Sequence, residues 1–342
     1  MEVVTAKHRP LVLVTGATGA IGPLVVEAFL AAGYSIRTLS IDPPPAGAWP
    51  EDVETLIGDI TDLSAVQAAM QGVESVVHLA ALLHVVNPPD HLLDLYQKIN
   101  VGGTKNVVEC AVKANVGRIL FFSTIAVYGD TDGQIVNEDT LPQPDTFYGR
   151  TKLGAEQMVL TAKDKAGKPI GTVLRLAAVY GSRIKGNYRQ LLMALERGWF
   201  LPIGRGRNRR TMIYDKDIAK AAVLALRHPA AAGRLYNVSD GQYHRLEEIM
   251  TAMCRALGRI PPRFSLPAAP VRFTVGVFED ALKMIGLKPP VTRATIDKYL
   301  EDVAVDSQRI QTELGFTPGF DLTAGWEDAV QEMHRPGKGK QP

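Results

Sequence analysis

Through the first half of the chain, short apolar runs alternate with stretches of helical periodicity. Leu11 to Thr15 is an apolar run that ends at Gly16, and Ile21 to Ala32 then repeats its apolar positions every three or four residues as far as Gly33. This predicts a strand, a tight turn and a helix. Further strands are expected at Ser35 to Ser40, Val53 to Ile57, Ser75 to Ala80, Arg118 to Ser123 and Gly171 to Leu176, with helices at Leu63 to Met70 and Leu92 to Ala114 between them. Repeated strand–helix units imply an α/β fold, a doubly wound parallel sheet of the Rossmann type with helices on both faces.

After about residue 180 the alternation loosens. Helices are expected at Tyr188 to Arg197, Asp217 to Arg227, Leu246 to Leu257 and Ser307 to Leu314, with strand-like pieces at Thr211 to Tyr214 and Leu235 to Val238. The division read from this is a dinucleotide-binding domain over 1–180, to which later segments return, and a smaller irregular substrate lobe over 181–334. A polar tail over 335–342, rich in Gly, Lys and Pro, is expected to be disordered. A cleft is expected between the two lobes, at the carboxyl ends of the strands.

Composition narrows the partners. The 342 residues are 46% hydrophobic with a net charge of +2, so a sizeable core is available and no basic stripe invites nucleic acid. Cys110 and Cys254 stand far apart, outside any disulfide framework or metal-ligand spacing, so no metal is expected. Met1 to Pro10 lacks the apolar segment of a secretory leader, which points to a cytoplasmic protein. The apolar stretch Phe264 to Leu287 is broken by Pro267, Pro270, Arg272, Glu279, Asp280 and Lys283; it reads as core or as a subunit-facing surface, not a membrane span.

Two constellations carry chemistry. Gly16, Gly19 and Gly22, with Ala20 and Ile21 between the last two, join the first strand to the first helix, where glycines let a pyrophosphate approach backbone N–H groups at a helix N-terminus. Asp59 and Ile60 follow the third strand, where the carboxylate can meet an adenine amino group or cap the next helix, a role Asp62 fills as well. Leu79, Ala80 and Ala81 end the fourth strand with small residues that let a cofactor lie close. Asp42 lies 20 residues beyond Gly22, the spacing of an acid that holds a ribose hydroxyl, while strand-end counting puts Ser40 in that pocket. No arginine stands at positions 40 to 42 to meet a 2′-phosphate, which favours NAD and leaves NADP open.

The second constellation is Tyr148 and Lys152, four residues apart on one helix face. Unit charges about 5.5 Å apart at an effective dielectric of about 20 interact by about 3 kcal/mol, enough to bring a phenol from near 10 to near 8. A cationic nicotinamide pulls the same way, so the pair is a usable base at neutral pH.

Taken together, the segments GATGAIG, GDITD, HLAA, KINVGGTKN, FFSTIAVYG, YGRTK, RLAAVYG and RRTMIYDKDIA resemble those of the extended short-chain dehydrogenase/reductases, in the NAD-dependent epimerase/dehydratase branch. The resemblance implies that Thr124 hydrogen-bonds the reacting oxygen, that Tyr148 is the acid/base, and that Lys152 orients the nicotinamide ribose. It also implies cofactor contacts from Asn100 and Ser123, a nucleotide-sugar diphosphate held by Asn187 and Arg210, and a homodimer paired through Leu92 to Ala114 and Tyr148 to Lys163. The basic run Arg205, Arg207, Arg209, Arg210 reads alternatively as a solvated loop. Where dehydratases of this branch carry an Asp-Glu pair after the catalytic Thr, this chain has Ile125-Ala126, so water elimination lacks its proton carriers. Ala178 and Leu83 replace an Asn and a Lys found in many of these enzymes. The activity implied is a UDP-hexose 4-epimerase; the alternatives are a 4-ketoreductase or dehydrogenase on a UDP-sugar or other hydroxy compound, and a non-catalytic dinucleotide sensor.

Overall fold

The computed structural model describes residues 9–83, 91–198, 200–289 and 291–335. The leader reading falls mostly, and the tail reading almost wholly, outside the described residues. The first part of the chain forms β1 (Leu11–Thr15), α1 (Gly22–Ala31), β2 (Ser35–Ser40), β3 (Glu54–Ile57), α2 (Leu63–Ala69), β4 (Ser75–His78), α3 (His91–Tyr96), α4 (Thr104–Lys113), β5 (Arg118–Thr124), β6 (Ile135–Val136), α5 (Phe147–Thr161) and β7 (Gly171–Leu176). The remainder forms β8 (Ala178–Tyr180), α6 (Asn187–Arg197), β9 (Arg209–Arg210), β10 (Met212–Tyr214), α7 (Asp215–Arg227), β11 (Arg234–Val238), β12 (His244–Arg245), α8 (Leu246–Ala256), α9 (Ala268–Met284), α10 (Arg293–Leu300), β13 (Ala304–Val305), α11 (Gln308–Leu314) and α12 (Leu322–His334).

Seven strands build one parallel sheet in the order β3-β2-β1-β4-β5-β7-β11. Its central strands β1, β4, β5 and β7 are buried on both faces, which is why most of them read as apolar runs, while the edge strand β3 is largely exposed. Alternation sorts the side chains: Val12 and Val14 enter the core beneath α1, α7 and α11, whereas Leu13 enters the core beneath α2, α4 and α5. Strand order reverses between β1 and β4, and a crevice opens there at the carboxyl edge. Both α7 and β11, although they follow residue 180, cover and extend this sheet. A second core gathers α6, α8 and α12 around Trp326, which stacks on Tyr180 at 4.7 Å.

Two stretches differ from the periodicity. Leu92 to Ala114 is not one α-helix, because Gln97–Gly103 widens into π turns between α3 and α4. Gly103 is pressed against Ile60, where a Cβ would stand 2.4 Å from Cδ1. The apolar stretch from Phe264 to Leu287 is not core: α9 buries only Gly276 and Glu279 and leaves its large apolar side chains in solvent. Among the described residues no helix is long and apolar enough to cross a membrane.

Candidate active site

The glycine turn closes the end of β1 against β4. Gly16 adopts φ +71°, and a Cβ there would stand 2.7 Å from the Ala80 nitrogen, so only glycine lets the two strand ends meet. A Cβ on Gly22 would stand 2.1 Å from the Ala17 carbonyl oxygen. The Gly16 N–H donates to the Leu39 carbonyl at 2.8 Å, Gly19 N–H donates back to Gly16 at 3.0 Å, and Thr18 N–H donates to the Ser40 hydroxyl at 3.3 Å. Ala20 and Ile21 then lead into α1, which has Pro23 in its first turn, no side-chain cap and no acidic residue near its start. The uncapped N–H groups and the positive end of the helix dipole face the crevice. A glycine cradle with an anion-seeking helix end fits the diphosphate of a dinucleotide.

Around this turn the expected contacts take distinct places. Ser40, the last residue of β2, is buried, while Asp42 is exposed two positions on. Asp59 is exposed and accepts the Thr61 N–H at 2.8 Å, and Asp62 rather than Asp59 caps α2 through the Ser64 N–H at 2.9 Å. Ile60 is buried against Gly103. Leu79 N–H donates to the Thr15 carbonyl at 3.1 Å, and Ala80 and Ala81 follow as partly buried small residues.

Asn100 sits in the π turns, 1% exposed. Its carboxamide accepts the Leu82 N–H at 2.7 Å and donates to the Leu82 carbonyl at 3.1 Å and to the Thr151 hydroxyl at 3.2 Å. The residue between the tyrosine and the lysine is thereby tied to the segment that packs on the glycine turn. Behind Asn100 runs a buried polar chain: the Thr104 hydroxyl donates to the Asn100 carbonyl at 2.6 Å and lies 3.0 Å from His78 Nε2, whose Nδ1 lies 2.6 Å from the Thr15 hydroxyl. Since Thr104 already spends its proton on Asn100, it accepts from Nε2–H, and Nδ1 accepts from Thr15; the imidazole is neutral. Burial, with Lys152 as a second cause, lowers the His78 pKa from 6.5 to about 3.

Helix α5 starts where Thr146 caps it through the Gly149 N–H at 3.1 Å. Gly149 packs against the turn that follows β5, with a Cβ position 2.6 Å from the Ala126 carbonyl oxygen. In that turn the Thr124 hydroxyl accepts the Ala126 N–H at 3.2 Å. Thr124 and Tyr148 thus stand on adjoining elements. The Tyr148 ring is half-buried, edge-on to Tyr96 with centroids 6.4 Å apart, and the Tyr96 phenol donates to the Leu83 carbonyl at 2.6 Å. Lys152 is buried, its ammonium 4.0 Å from the centroid of Phe121.

The expected acidic shift of Tyr148 is not what this arrangement produces. Desolvation, aided by the neighbouring Tyr96 phenol, raises its pKa. Burial also lowers the Lys152 pKa from 10.5 to about 7, with Glu156 one turn on pulling it back up. A half-discharged ammonium over an aromatic face cannot supply the full Coulomb pull that the four-residue spacing implied.

Ser123 points away from solvent: its hydroxyl donates to Glu156 at 2.5 Å. Glu156 in turn receives Arg175 Nη2 at 2.7 Å in a pair that is 1% and 3% exposed. The Arg175 guanidinium also stacks 4.8 Å from the Tyr128 ring centroid. Neither Glu156 nor Arg175 was singled out from the sequence, although an arginine inside the apolar run GTVLRL and an acid four residues beyond Lys152 were available signals. Tyr96 carried no such signal.

Farther along the chain Asn187 opens α6. Arg210 lies across the C-terminus of α10, donating to the Lys298 carbonyl at 2.8 Å, the Tyr299 carbonyl at 3.2 Å and the Glu301 carbonyl. It also hydrogen-bonds the Tyr188 phenol, so residues far apart in sequence bring the start of α6 and β9 together.

Comparison with known proteins places this architecture. The model of the NAD dependent epimerase/dehydratase family matches residues 12–239. The N-acetyl-alpha-D-glucosaminyl-diphospho-ditrans,octacis-undecaprenol 4-epimerase of Escherichia coli O157:H7 is 29% identical, with 94% of each chain covered. The UDP-glucose 4-epimerase of Vibrio cholerae is 28% identical over 94% of each chain. Among solved structures, MoeE5 in complex with UDP-glucose and NAD superposes with a TM-score of 0.72 at 26% identity, covering 94% of this chain and 97% of the other. The sheet order, the glycine cradle and these matches agree: this chain belongs to the NAD dependent epimerase/dehydratase family, a family of enzymes.

Proposed function

We propose that the protein is a 4-epimerase of a diphosphate-linked hexose, UDP-hexose first, working through a transient 4-keto sugar. NAD, when bound, supplies the hydride acceptor and donor for C4. The chain supplies the rest. Tyr148 takes the C4 hydroxyl proton and returns it, Thr124 hydrogen-bonds the same oxygen, and Lys152 lends its charge to the phenolate. Gly16, Gly19 and Gly22 with Ala20 and Ile21 hold the dinucleotide diphosphate, while Ser40, Asp42, Asp59, Ile60, Leu79, Ala80, Ala81, Asn100 and Ser123 shape the rest of its groove. Asn187 takes the substrate diphosphate through its carboxamide, and Arg210 through the N–H groups that α10 does not engage.

One observation carries this reading: Asn100 fastens Thr151, the residue before Lys152 and one turn on from Tyr148, to the Leu82 segment beside the glycine turn. Acid/base and dinucleotide groove are built as one unit. The Ile125-Ala126 turn offers no carboxylate for elimination, which favours epimerisation or simple reduction over dehydration. The purified protein is expected to interconvert UDP-glucose and UDP-galactose, or their N-acetyl forms, with no net change in nicotinamide absorbance. Stoichiometric consumption of the cofactor would instead identify a one-way reductase, and no conversion of any of the four sugars would sink the UDP-hexose reading. A second substrate, a sugar diphosphate carried on a polyprenol, is favoured by the solvent-facing apolar helix α9, next to the α10 end that Arg210 holds.

A further inference from the structure

Helix α9 and the segments around it break the usual distribution of apolar side chains. Ile260 is 77% exposed, Phe264 81%, Phe273 73% and Met284 87%, with Phe278 and Ile285 also more than half exposed. So many large apolar side chains exposed within one segment mark an interaction surface. The helix packs on α10 through Gly276, which leaves no room for a Cβ beside the Arg293 guanidinium, and through Glu279, which bonds Lys283 at 2.6 Å and the Arg293 N–H at 2.8 Å. Phe273, Val277 and Met284, spaced four and seven residues apart, form a stripe beside that contact, where Phe273 and Val277 line a small cavity with Arg293.

Charge decides what covers the stripe. Residues 259–288 hold Arg259, Arg263, Arg272, Lys283 and Lys288 against Glu279 and Asp280, a net of +3. Glu279 is buried and bound by Lys283 at 2.6 Å, Asp280 is bound to Arg293 at 2.5 Å and Arg272 to Asp297 at 2.6 Å, so the acids and two of the cations are engaged within the fold while Arg259, Arg263 and Lys288 are exposed. A two-fold contact between copies would set this patch against itself and bring like charges together. Lipid phosphates attract these three cations, and aromatic and aliphatic side chains beside Lys and Arg are the composition of a helix that lies in the membrane interface.

We propose that the α9 face docks the protein on an anionic bilayer surface. The helix lies in the plane of the interface, with Phe273 and Met284 at the level of the acyl boundary and Arg259, Arg263 and Lys288 at the lipid phosphates. Because α10 joins this face to Arg210, docking also brings the substrate end of the cleft to a lipid-borne sugar diphosphate, a consequence that rests on the site reading given above.

The experiment is co-sedimentation of the full chain with vesicles of phosphatidylcholine alone and of phosphatidylcholine mixed with phosphatidylglycerol, without any sugar present. The expected result is pelleting with the mixed vesicles, reversed by high salt. Phe273→Ser with Met284→Ser should lower the partition by about tenfold or more with an unchanged unfolding midpoint, and Leu141→Ser, an exposed apolar site outside α9, should not. Should the double variant fail to fold, Ile260→Ser in the preceding loop gives the same reading. No pelleting of the wild type, pelleting indifferent to phosphatidylglycerol, or a dimer in light scattering that Phe273→Ser dissolves without any vesicle binding would each overturn the proposal. Since no substrate enters the measurement, failure of the epimerase assay leaves it intact.

Discussion

Lys152 and Tyr148 meet an environment that penalises both of their charged forms, the ammonium falling to about 7 and the phenol rising. Proton transfer at this site therefore depends on a charge brought in by what binds there, in keeping with a base that works only in the assembled complex. Tyr148→Phe is expected to lower turnover by about 10²–10⁴-fold with dinucleotide retention unchanged, as read by sugar conversion and by cofactor released on denaturation. His78 makes a prediction about acid. Its folded pKa of about 3 lies below the ordinary 6.5, so the unfolded chain binds the extra proton between those values. The contribution of His78 is fully present above pH 6.5 and is lost as pH falls toward 3, at about 1.4 kcal/mol per pH unit. Replacing His78 with Gln should flatten the fall of the unfolding free energy across that window; an unchanged slope in denaturant titrations would contradict it.

At the scale of elements, α5 is held by a buried ion pair rather than by apolar packing alone. Glu156 on α5 and Arg175 on β7 are both out of solvent, and the Ser123 hydroxyl of β5 donates to the same carboxylate. Glu156→Gln leaves a buried guanidinium uncompensated and is expected to cost about 3–5 kcal/mol. Glu156→Met combined with Arg175→Met should recover most of that loss, since neither member of the pair is then charged. A thermal unfolding series of the two variants checks both statements. Sequence periodicity located α5 and the strands around it, because apolar spacing reports burial directly. It could not locate the π turns at Gln97–Gly103, where Gly103 packs against Ile60 from another part of the chain.

Across the whole molecule, late segments return to the first part of the fold. β11, α7 and α11 lie late in the chain yet complete the sheet and one of its cores, and α9 with α10 forms a separate outer layer with an apolar face. The sequence by itself determined the parallel α/β architecture, the glycine turn, and the tyrosine and lysine on one helix face. Each is written in spacing along a single segment, and local spacing survives folding. Only the tertiary structure decided that Arg210 braces α10, that Ser123 turns to Glu156, that Asn100 couples the helix to the glycine turn, and that desolvation overrides the expected shift of Tyr148. Those outcomes are set by which groups arrive from distant segments and by how much water they displace, and neither quantity has a signature in the order of residues.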